Sequence, residues 1–138
     1  MAFWLFKSEP AAWSWESQVA KGDEGEPWDG VRSHQAANNM RRMKVGERGF
    51  FYHSQTDRAV VGIVEVVAEA APDPTDDTGR WDCVTLRADE PMARAVTLAE
   101  IKARPELADM ALVRQSRLSV SEVSEEEWRI IREMGGLG

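Results

Sequence analysis

The chain has 138 residues, of which 43% are hydrophobic and 30% charged, with a net charge of −7. This composition fits one globular domain with its own core, and no apolar run approaches the roughly 20 residues of a membrane-spanning helix. The charge argues against a protein that coats nucleic acid through bulk attraction, and the single Cys83 excludes an internal disulfide or a cysteine-built metal site. The opening MAFWLFKSEP has no basic segment ahead of an apolar core. No secretory leader is therefore expected, and a cytoplasmic location is.

In chain order, FWLFK (3–7) reads as a strand with Phe3, Leu5 and Lys7 on one face and Trp4, Phe6 and Ser8 on the other. WSWESQVAKG (13–22) reads as a short helix closed by Gly22, and 23–30 as a Gly/Pro/Asp loop. Ser33 is placed to cap a helix over 33–43 that buries Ala36, Met40 and Met43. GFFYHS (49–54) alternates as a strand and turns through QTDR without the favoured Asn-Gly pair. AVVGIVEVVAEA (59–70) is the strongest strand signal, and Gly62 inside it marks a bend or a close approach. Residues 72–80 form a loop and 81–90 an alternating strand. Thr97 and Glu100 form a capping box before a helix at 97–103, and 107–116 is a loop or single turn. A strand follows at 117–123. A second capping box, Ser124 and Glu127, starts a helix over 125–134 that buries Trp128, Ile131 and Met134 and stops at Gly135-Gly136. The tally of five to six strands and three or four short helices gives an α+β protein with a curved or barrel-like mixed sheet.

Catalytic equipment is missing from this pattern. His34 and His53 form no H-x-x-x-H pair, there is no G-x-S-x-G elbow, and no phosphate-binding glycine loop occurs. Cys83 sits mid-strand as a buried structural thiol would, and the acids of 73–77 lack calcium-loop spacing and read as a solvated turn. No catalytic residue, metal or cofactor is expected.

Binding residues are plentiful. Trp28, Arg32, His34, Gln35, Asn38, Asn39, Tyr52, His53 and Ser54 fall within one stretch, 28–54. A planar base needs an aromatic face for stacking and fixed donors and acceptors for its edge. Trp28 lies in a polar loop, where it serves either as that face or as a pin holding the loop to the core. Tyr52 and His53 alternate to opposite strand faces, so both line one pocket only at a bulge or a strand end. Lys7, Ser8 and Glu9 end the first strand. Arg32, Arg41, Arg42, Lys44 and Arg48 face only Glu47 in their stretch, and Arg114 and Arg117 have no acid between them. These cations make either a local basic face or part of a mixed solvated surface.

The segments WDGVR, QAANN, MKVGER and FFYHS, flanked by FWLFKSEP, VVGIVEVV and ALVRQSRLSV, resemble in order and spacing the EVE domain of the PUA-like superfamily. The resemblance covers nearly the whole chain and implies a single domain over 1–138 with a PUA-like mixed β-barrel flanked by short helices. The related PUA, ASCH, SRA and YTH families bind nucleic acid, several by taking a modified base into a pocket. The implied partner is DNA or RNA carrying a modified base such as a modified cytosine, bound by a monomer. The resemblance implies ligand-binding roles for Lys7, Ser8, Trp28, Arg32, Asn39, Tyr52, His53, Ser54, Arg117 and Ser119. It leaves Arg41, Arg42, Lys44 and Arg114 to hold phosphates. Where many members read N-Y-Q-A-R-N, this chain has Ser33-His34-Gln35-Ala36-Ala37-Asn38, without the tyrosine and arginine. An enzyme acting on a nucleic acid or nucleotide, as in ASCH-like relatives, and a small-molecule-binding module are the alternatives.

Overall fold

A computed structural model provides the fold, described for residues 1–137. Six strands form one sheet: β1 (Phe3–Ser8), β2 (Glu26–Pro27), β3 (Arg48–His53), β4 (Ala59–Pro72), β5 (Asp82–Thr97) and β6 (Val120–Val123). Their order is β2-β5-β4-β3-β1-β6. Only β1 and β3 run parallel, in a register pairing Phe3 with Arg48 and Ser8 with His53. The α-helices are α1 (Trp15–Ala20), α2 (His34–Arg41), α3 (Leu98–Lys102), α4 (Ala111–Arg114) and α5 (Glu125–Met134). The mixed α+β class is as expected. The sheet does not close into a barrel: β2 and β6 are its ends and do not pair with each other. Register shifts along β4 bend its long ladder with β5, because each bulge kinks and twists the strand that carries it.

The apolar run of β1 is explained by its interior position between β3 and β6. Trp4, Leu5 and Phe6 are all buried, and alternation sends Leu5 to one core and Trp4 and Phe6 to another. The first core gathers Phe50, Ile63, Ile101, Trp128 and Ile131. The second gathers Ala36, Met40 and Met43 of the α2 segment with Phe51, Val64, Val84 and Leu86. A Cβ on Gly62 would overlap the Trp15 ring, so that glycine lets α1 approach the sheet.

Both capping boxes form as their spacing predicts, with Thr97 and Ser124 as the caps. α5 occupies the predicted 125–134, and Ser33 caps α2. Two segments differ. β5 runs on through Pro91 to Thr97. That proline lies beyond β2, where β5 has a neighbour on one side only, a place where a sheet tolerates the missing amide. The 23–30 loop contains β2, two residues pinned against Leu86 and Thr85. Residues 107–116 hold the single turn expected, the four-residue α4.

Candidate nucleic-acid interface

At the carboxyl end of β1 a cavity of about 440 Å³ opens between that strand, the segment before α1 and the loop before α2. Lys7, Ser8 and Glu9 form one side, Trp13 another, and Glu26 through Arg32 the third, with Ser119 at the edge. Its size falls within the usual range for small-ligand pockets.

Each wall is anchored to the sheet. Trp28 is 8% exposed, and its ring packs edge-to-face with Phe6 and Phe51 at centroid separations of 5.5 and 5.6 Å. Its amide donates to the Val84 carbonyl at 2.8 Å. The indole is therefore both loop pin and cavity floor. Trp13 is only half-buried. Its Nε1 donates to the Oε1 of Gln18, and the Nε2 of that fully buried amide donates to the Leu86 carbonyl at 2.8 Å. Ser8 Oγ donates to the Trp13 carbonyl at 2.5 Å, closing the turn between the first two walls.

The third wall hangs on Asp73. This buried carboxylate accepts from the Gly30 amide at 2.9 Å, from Arg32 Nη1 at 3.0 Å, and from both the amide and the hydroxyl of Thr75. Burial alone would raise its pKa. The bonds from Thr75, Gly30 and Arg32 outweigh burial and hold it at about 2. Asp73 is thus a structural hub within the 73–77 segment, which is otherwise the largely exposed turn expected. Arg32 also lies over the Trp81 ring at 5.7 Å, which His34 meets from 4.9 Å. Asp29 faces the cavity with its pKa raised by burial and by the charges of Asp73 and Glu26. Burial lowers the pKa of Lys7, whose Nζ donates to the Ser116 carbonyl at 2.7 Å.

Lys7, Ser8, Trp28, Arg32 and Ser119 therefore meet in one cavity. Tyr52 and Ser54 do not reach it. Strand alternation puts them in a neighbouring cleft, which shares Lys7. Arg117 lines a third recess with Ser33 and Gln35. Two expected ligand-binding residues are occupied elsewhere. Asn39 is buried, donating its Nδ2 to the Val120 carbonyl at 2.8 Å and so tying α2 to β6. His53 is buried behind Phe51, where its Nε2 accepts from the Trp15 amide at 3.0 Å and its Nδ1 meets Asp57 at 2.8 Å. That acceptor role leaves the ring proton on Nδ1 to donate to Asp57.

The expected phosphate-binding arginines are paired within the chain. Arg41 meets Asp82 at 3.0 Å, Arg42 meets Glu122 at 2.9 Å, and Arg114 meets Asp109 at 2.6 Å. Arg42 also lies over Trp4, and Trp4 is four residues, about 13 Å of strand, from the cavity end of β1. Lys44 is exposed and has no carboxylate partner among the described residues. None of these four side chains lines the cavity. Sequence reasoning missed Trp13, Gln18, Asp29 and Asp73. The W-x-W spacing of Trp13 and Trp15 was the available signal, one ring going to the cavity and the other onto Gly62.

The EVE domain profile matches residues 2–134. This chain belongs to the EVE domain family. Human thymocyte nuclear protein 1 is 32% identical over 93% of this chain and 71% of its own length. A crystal structure of an Agrobacterium tumefaciens protein superposes with a TM-score of 0.98 at 54% identity, covering 99% of this chain and 94% of that one. A crystal structure of human THYN1 in complex with DNA containing 5-methylcytosine superposes with a TM-score of 0.90 at 30% identity, covering 98% of both chains. The EVE fold is thus present across nearly the full length.

Proposed function

We propose that this EVE domain reads a modified cytosine in DNA by taking the flipped base into the cavity between Trp13 and Trp28. The observation that carries it is the aromatic-walled cavity of about 440 Å³, in a fold shared with human THYN1 bound to 5-methylcytosine DNA. Trp28 supplies an immobile floor, and the more exposed Trp13 supplies stacking area. A cytosine edge offers an amino donor, and the carboxyl groups of Glu9, Glu26 and Asp29 line the cavity as acceptors. Extrusion costs a few kcal/mol. Stacking, worth roughly 1–3 kcal/mol per base, and the edge contacts offset that cost.

The test is binding to duplexes that differ only in one cytosine modification, with the matching RNA as a further arm. Trp13→Ala should lower affinity for the preferred ligand by roughly 5- to 150-fold, the equivalent of one lost stack. Trp28→Phe, which keeps an aromatic floor, should have a smaller effect. Equal binding of modified and unmodified duplexes by the wild type would sink the proposal.

A further inference from the structure

Beside the base cavity lies a second cleft of about 340 Å³, walled by Lys7, Tyr52, Ser54, Arg58, Lys102 and Ser116. Three of these residues are cationic and none is acidic. The base cavity has the opposite balance: Glu9, Glu26 and Asp29 line it against Lys7 and Arg32. On a chain of net charge −7 this is a local reversal of sign. We propose that the cleft framed by Lys7, Arg58 and Lys102 holds a backbone phosphate of the strand whose base enters the neighbouring cavity, an assignment that rests on the base-reading function above.

The local structure keeps these donors available. Arg58 commits only its Nε, to the Gln55 carbonyl at 3.1 Å, and leaves both terminal nitrogens for a bidentate contact. Lys102 is exposed at the end of α3 with no ion-pair partner among the described residues. The acid closest in sequence, Asp57, is held by His53 on the other face of the strand. The His53 bond draws the Asp57 carboxylate to the α1 side, while Arg58 lines the cleft. Gln55 and Arg58 both have positive φ, 69° and 48°, so an unusual backbone sets that aim. Burial raises the pKa of the Tyr52 hydroxyl, with Arg58 opposing, so the phenol stays a neutral donor at pH 7. Lys7 lines both spaces, so an anion at its ammonium sits beside the base cavity. The acids of the base cavity repel phosphate, and the cleft attracts it. The same charge division orients a nucleotide, base into one space and phosphate into the other.

Two measurements separate this assignment from the base-reading one. An abasic tetranucleotide, which has phosphates and no bases, is titrated into the ¹⁵N-labelled protein. Amide shifts are expected at Gln55, Arg58, Leu98 and Ser116. Shifts centred on Arg41 and Arg42 would overturn the assignment. In parallel, anisotropy with methylcytosine duplex is followed over a salt series for wild type, Arg58→Asn and Lys102→Gln. Asparagine is chosen because it tolerates positive φ. Each variant should weaken binding about fivefold to tenfold at low salt and flatten the log–log salt slope by about 0.9 for each phosphate no longer neutralised. The ratio of modified to unmodified affinity should not change. Arg129→Gln, on α5, is the control. An unchanged salt slope in both variants refutes the phosphate site. A ratio near one in the wild type refutes base reading, and the abasic titration still decides the cleft.

Discussion

Replacing Asp73 with asparagine keeps the side-chain volume and removes the charge on which the Gly30–Arg32 wall hangs. The carboxylate is buried and accepts from the Gly30 amide, Arg32, and the Thr75 amide and hydroxyl. Its pKa falls from 3.8 to about 2 on folding. At roughly 1.4 kcal/mol for each pH unit, the drop is worth about 2 kcal/mol of preference for the charged form. Arg32 is exposed enough that its own share is screened, so most of this belongs to the Gly30 and Thr75 donors. The pKa is depressed in the folded state. The contribution is therefore fully present above the unfolded value near 4 and fades as pH falls through about 2. Asp73→Asn should lose about 2 kcal/mol in urea unfolding at pH 7, and the gap to wild type should close towards pH 2. Affinity for the modified base should fall as well, because Trp28 and Asp29 lie on the same loop. Equal urea midpoints at pH 7, with unchanged slopes, would refute Asp73 as the hub.

Two further substitutions test the supports of the cavity. Gly62→Ala should cost about 1–3 kcal/mol by overpacking, since its new methyl group meets the Trp15 ring. The backbone there needs no positive φ, so a neutral result in thermal unfolding would mean that α1 is not seated against the sheet as described. Asn39→Ala should orphan the buried Val120 carbonyl and cost about 1–3 kcal/mol. It should leave base preference intact, and lost preference at unchanged stability would make Asn39 a ligand-reading residue instead.

Local rules made most of the framework legible. Capping boxes place Thr97 and Ser124 because a side chain and a backbone amide three residues on decide the matter between themselves. The α2 core face follows from the spacing of Ala36 and Met40. β2 was not legible, because two residues have no period. Pro91 hid the second half of β5, because the rule against proline in strands lapses where one side of the strand is unpaired.

The site was legible as a population of residues and not as a partition. Tyr52 and His53 are adjacent in sequence, yet one faces the cationic cleft and the other fastens α1. Alternation alone predicts that split, but not which space either face meets. Asp73 looked like a solvated acid because its partners, Gly30 and Arg32, lie more than 40 residues away. The basic stripe of Arg41 and Arg42 looked available because Asp82 and Glu122 are equally remote. Such ion pairs at the surface are worth only about 0.2–1 kcal/mol, so they do not bar these arginines from a phosphate. Neither arginine, however, lines the base cavity. Arg58 and Lys102 went unnoticed because each is a lone cation in its own segment. They become a pair only when the turn after β3 and the end of α3 fold against Lys7. Charge is read on a sequence as density, whereas a ligand meets it as a division between two adjoining spaces.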